Sequence, residues 1–154
     1  MLIQGVVMFS GTVAVLLMTV AAVITSVLVH FEVAVRISRK LEYWQLALRG
    51  RFLVLFLALF VAHLIEICIF ALALVSLQAL PETGQISGSE AVALWDYLYM
   101  SAISYTTLGF GDLTPEGGMR LLLSAEGLIG FMLITWSASL TFLQMQQHWA
   151  VGDE

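Results

Sequence analysis

Three long apolar stretches, residues 3–29, 52–80 and 119–146, constrain this chain more than any other feature of it. The first holds no ionisable side chain, and about 20 apolar residues suffice to cross a bilayer as a helix. A signal peptide would carry a basic leading region and a shorter apolar core, so this stretch reads as a span. The composition agrees: 60% of residues are hydrophobic, 11% are charged and the mean hydropathy is +0.97. That is the balance of a membrane protein rather than a soluble domain. The net charge of −5 gives no ground for nucleic-acid binding. The single cysteine, Cys68, leaves no disulfide framework or cysteine-based metal site within one chain.

The stretches divide the chain into a first span over residues 1–30, a connector over 31–51, a pore-forming unit over 52–146 and a short tail over 147–154. Gly11, Ala14, Ala21, Ala22 and Ser26 give the first span small side chains for close helix contact. In the connector, Val33, Ile37, Leu41, Trp44 and Leu48 recur at helical spacing, with Arg36, Arg39, Lys40 and Arg49 mostly off that stripe. The pattern predicts a short helix lying on the inner membrane surface. Five of the six basic residues lie in or at the end of this connector, which predicts that it is cytoplasmic. The N-terminus is then external, the C-terminus cytoplasmic, and the protein a multi-pass one of the plasma or inner membrane.

The second stretch holds His63 and Glu66, three residues apart and therefore on one helical face. Ionisable groups at that depth need a partner or a wet cavity. Two readings follow: a proton sensor or gating contact, or an interhelical hydrogen bond to Thr19 or Thr25 of the first span. Two ligands alone are too few for a metal site.

Between the second and third stretches lies a polar turn with Pro81, then Ser87-Gly88-Ser89-Glu90, whose spacing suits a capping box. A helix is expected from near Ser89 to about Ser104, too short to span. Its negative C-terminal end would favour a cation nearby. It leads into Ser104-Tyr105-Thr106-Thr107-Leu108-Gly109-Phe110-Gly111-Asp112, followed by Thr114-Pro115. Gly109 and Gly111 can take positive φ without a Cβ clash, which allows successive carbonyls to point one way and replace the water around a cation.

Thr107-Leu108-Gly109-Phe110-Gly111-Asp112 resembles the selectivity filter of the potassium-channel family, usually Thr-Val-Gly-Tyr-Gly-Asp. The resemblance covers roughly residues 52–146. It implies an all-α membrane protein with three transmembrane helices, a re-entrant pore helix and a filter loop, the first helix being an addition to the two-helix plan. It implies a potassium-selective channel and not an enzyme. Four chains would surround one axis, because each potassium-channel pore is built from four filter segments. Potassium would be held by Thr107, Leu108, Gly109 and Phe110, with Gly111 completing the filter, and Leu108 and Phe110 packed into the wall. No cofactor is implied beyond the permeant ion, and the partners are the bilayer and three like chains. Gly130 falls near the usual hinge glycine of the inner helix, with close helix packing the other reading. Ile134, Ala138 and Thr141 recur at helical spacing and would line the cavity.

Phe110 lacks the tyrosine hydroxyl that commonly braces such filters, and Ile103 stands where some members place a glutamate. Tyr99, at a position often filled by tryptophan, is expected to bond Asp112 instead. Glu126, about 9 Å deeper than Arg120 along its helix, is expected to find a donor on the filter scaffold. Glu82, Glu90, Asp96, Asp112 and Glu116 would make the outer mouth acidic. Three alternatives stand beside this reading: a weakly selective cation channel, a non-conducting scaffold, and an intramembrane aspartyl protease using Asp112 and Asp96.

Overall fold

The computed structural model describes residues 2–44, 47–88 and 93–149. In chain order the elements are α1 (Leu2–Tyr43), α2 (Leu48–Gln78), β1 (Ile86–Ser87), α3 (Leu94–Tyr105), β2 (Thr114–Pro115) and α4 (Met119–Trp149). Three helices are long and apolar enough to cross a membrane, with spans Phe9–Leu41, Arg49–Gln78 and Met119–Gln146. Helix α3, with 12 residues, is about 18 Å long and too short to do so.

Helix α1 carries a buried stripe at steps of three and four, Val15, Thr19, Ala22, Ser26, His30 and Ala34, continued through the half-buried Ile37 to the buried Leu41. The stripe lies against α2 and α4. The close approach begins at Gly11, where a Cβ would sit 2.7 Å from the Glu82 carbonyl oxygen. Within lipid such contacts are held by packing and hydrogen bonds, since lipid tails are as apolar as the side chains.

The stripe also corrects the expected connector. Among the described residues of 31–51 there is no separate helix between α1 and α2. Helix α1 runs unbroken to Tyr43, because Ala34, Ile37 and Leu41 pack on Leu55 and Leu59 of α2. The amphipathic pattern buries against a neighbouring helix. Arg36 pairs with Glu32 one turn back, on the exposed side.

Helix α2 gives way beyond Gln78 to a turn at Pro81, which restricts the residue before it. Its last carbonyls are served by the buried Thr83, whose hydroxyl lies 2.6 Å from the Leu77 oxygen and 3.0 Å from that of Leu80. The chain then pairs antiparallel, Ile86 with Pro115 and Ser87 with Thr114. The Ser87 hydroxyl and the Gln85 amide donate to the Glu116 carboxylate. These donors hold the Glu116 carboxyl below its usual range.

Helix α3 begins at Leu94, with the Ala93 amide donating to Asp96 at 2.7 Å. The start expected near Ser89 lies outside the described residues, and the described helix begins five positions later. Met100, Ser101, Ile103 and Tyr105 of α3 are buried, and α3 packs against α2 and α4. Helix α4 runs through residue 149, past the boundary expected at 146.

Candidate functional site

Helix α3 ends where Thr106 and Thr107 turn their amides back onto Ala102 and Ser104. Thr107 then takes φ +60°, Gly109 φ +54° and Gly111 φ +83°, whereas Leu108 and Phe110 keep negative φ. An ordinary strand sends its side chains to alternate faces and its carbonyls to alternate edges. Alternating the sign of φ instead brings successive carbonyls toward one side. The two glycines were legible for this role. The left-handed Thr107 was not, because threonine is β-branched and seldom adopts it. The Gly109 amide donates to the Ile103 oxygen at 3.2 Å, tying the loop to the last turn of α3.

The side chains of Leu108 and Phe110 were expected to pack into a wall. In the single chain they do not: they are 62% and 69% exposed. A Cβ at Gly109 or Gly111 would likewise meet nothing within 4 Å. The described residues of one chain provide no wall for this loop.

Tyr99 and Asp112 are brought together as expected. The phenol donates to both carboxylate oxygens, each at 3.0 Å. Loss of solvent and then the facing carboxylate raise the phenol above its usual range, so it remains the donor. Glu126 is fully buried beneath α3. Its carboxyl contacts the Ser101 hydroxyl, which also lies 2.8 Å from the Ile67 carbonyl oxygen of α2. Its other oxygen, Oε2, has no partner among the described residues.

At Gly130 the geometry is one of close approach: a Cβ there would sit 2.3 Å from the Tyr105 carbonyl oxygen. Ile134, Ala138 and Thr141 border a cavity of about 470 Å³ together with Phe60, His63 and Ser137. That cavity lies between α2 and α4 of the same chain.

The expected hydrogen bond from the His63–Glu66 pair to Thr19 or Thr25 is not formed. Thr19 donates to the Val15 oxygen of its own helix, and Thr25 is exposed. The partner on α1 is His30, whose Nδ1 lies 2.9 Å from Glu66 Oε1. His63 Nδ1 lies 3.2 Å from Glu66 Oε2 and 2.8 Å from the Tyr105 hydroxyl, which also contacts Glu66. Ser137 closes the circuit, 3.0 Å from His63 Nε2 and 3.2 Å from His30 Nε2. Five side chains from α1, α2, α3 and α4 thus meet, with His30 and Glu66 fully buried. Pairing is what makes a buried carboxylate tolerable. The signal that could have found His30 is its place four residues after Ser26 on the small-residue stripe of α1.

A bundle of membrane-spanning helices holding a short helix and a carbonyl-bearing loop between two of them is the architecture of a channel pore. The sequence profile of the ion channel family matches residues 53–147, and the chain belongs to that family. It is therefore a multi-pass membrane protein of the channel class, not an enzyme. Protein LctB of Geobacillus stearothermophilus is 34% identical over 53 residues, a stretch that makes up 34% of this chain and 40% of that protein. The chain thus matches less than half the length of that relative. No solved structure matches the chain.

Proposed function

We propose that the protein is a potassium-selective channel in which four chains surround one pore. The observation that carries this reading is the alternation of φ at Thr107, Gly109 and Gly111 with Leu108 and Phe110 between them. The carbonyls of Thr107, Leu108, Gly109 and Phe110 would replace the hydration shell of the ion, as known for potassium channels. The exposed Leu108 and Phe110 then find their wall in neighbouring chains, which supports an assembly over a monomer. Tyr99, Asp112 and Glu126 brace the loop, and Ile134, Ala138 and Thr141 lie along the inner route. The 2.3 Å approach at Gly130 favours a packing role there over a free hinge. The membrane is the plasma or inner membrane, and the filter opens to the outside.

The test is ion flux through purified protein in liposomes. Potassium flux blocked by barium and lower for sodium is expected, with native mass spectrometry giving four chains. Equal sodium and potassium permeability would replace this reading with a weakly selective cation pore. Absence of flux from assembled protein would point to a scaffold.

A further inference from the structure

The circuit around Glu66 is short of hydrogens. Six polar contacts join His30, His63, Glu66, Tyr105 and Ser137. A neutral imidazole, a serine and a tyrosine each offer one hydrogen, and a carboxylate offers none. Four hydrogens therefore serve six contacts. The shortage falls on specific atoms. If both Nδ1 atoms donate to Glu66, the two Nε2 atoms compete for the single hydrogen of Ser137. If both Nε2 atoms donate to Ser137, both Nδ1 lone pairs face the carboxylate oxygens. In the mixed arrangement, where Ser137 accepts from one histidine and donates to the other, one Nδ1 lone pair still faces Glu66.

We propose that His30 Nδ1, His63 Nδ1 and the Glu66 carboxylate form a site for a divalent transition-metal ion of the zinc class. One ligand atom from each of His30, His63 and Glu66 lies within 4.8 Å of the other two. Bonds of about 2.0–2.1 Å to nitrogen and oxygen set tetrahedral ligands about 3.3 Å apart, so the wider-spaced atoms must draw in while the Nδ1–carboxylate contacts, now 2.9 and 3.2 Å, open slightly. With the metal between them, each Nε2 hydrogen goes to Ser137. This is the outer hydrogen bond that fixes the tautomer of a ligating histidine. The Tyr105 hydroxyl then donates to Glu66 or takes the fourth position itself. Two imidazoles and one carboxylate suit zinc and its neighbours, and the absence of a thiolate disfavours soft monovalent ions. The ion has a path of entry, because His63 and Ser137 both line the cavity between α2 and α4. Bound there, it would clamp α1 to α2 directly beneath the last turn of α3. The site stands on its own ligands and is independent of which ion the channel conducts.

The experiment is titration of full-length purified protein, stripped with chelator, first with Co²⁺ and then with Zn²⁺. Expected are the visible absorption bands of four-coordinate Co²⁺, a stoichiometry of one per chain, and displacement by Zn²⁺. His63→Gln and Glu66→Gln should each weaken binding by about tenfold or more, and Ser137→Ala by about tenfold as an outer-shell loss. His148→Gln should leave binding unchanged. Should the buried variants fail to assemble, X-ray absorption on the Zn²⁺-loaded wild type decides: two imidazoles in a nitrogen and oxygen shell are expected. No Co²⁺ bands in the wild type, unaltered binding in His63→Gln, or a shell with fewer than two imidazoles would each overturn the site. In that event protons alone complete the circuit.

Discussion

Gly130→Ala sets two opposed effects against each other. Replacing a glycine inside a helix by alanine improves helix propensity by about 1 kcal/mol. If Gly130 were only a point of flexibility, the variant should be more stable by that amount. The structure predicts the opposite sign. The new Cβ would sit 2.3 Å from the Tyr105 carbonyl oxygen and 3.0 Å from its carbonyl carbon. That oxygen belongs to the backbone of α3 and cannot rotate away, and the Tyr105 ring is held by Glu66 and His63. Relief requires α3 and α4 to part by about an ångström, and overpacking of this kind costs about 1–3 kcal/mol. Deducting the propensity gain leaves a net loss of about 0–2 kcal/mol, where flexibility alone would give a gain of about 1 kcal/mol. Gly127→Ala is the control, since its Cβ would lie 3.2 Å from the Ser104 oxygen and needs only a small adjustment. Detergent-driven unfolding followed by helicity, run on both variants, measures the difference. A Gly130→Ala protein more stable than wild type by about 1 kcal/mol, the full propensity gain, would refute the close-packing argument.

Gly109→Ala should leave folding nearly intact, at a cost of about 1–2 kcal/mol for left-handed backbone, because its Cβ has open space in the chain. It should abolish selective flux, and normal flux would refute the assigned loop geometry. Tyr99→Phe removes the donor of both bonds to Asp112 and little volume. Single-channel recording should show faster closure or looser selectivity, and unchanged currents would leave the brace without support. The carboxyl of Glu116 is held below its usual 4.5 by Ser87 and Gln85, so its contribution to stability is fully present above 4.5 and is lost as pH falls through the lower folded value. Thermal stability measured against pH should show that loss in wild type and not in Glu116→Gln.

Much of this protein can be read along one dimension. Hydropathy located the three spans, because a bilayer demands length and apolarity of a continuous segment. The short helix and the glycine-bearing loop were legible because they interrupt that pattern with turn residues and threonines. Tyr99 and Asp112 were legible as a pair because the resemblance puts Tyr99 where the filter-bracing aromatic often stands, and a phenol there can donate to a carboxylate. What tertiary structure decided is which helix faces meet. The stripe at Ala34, Ile37 and Leu41 suits a membrane surface and a helix partner equally, and only the presence of Leu55 and Leu59 opposite it extends α1 to Tyr43. Glu66 needed a partner on local grounds, but its choice of His30 over Thr19 depends on the rotation of α1 about its axis. The left-handed Thr107 and the close approach at Gly130 are settled by how the end of α3 is wedged between neighbours. Periodicity states that a face is buried; only packing in three dimensions states against what.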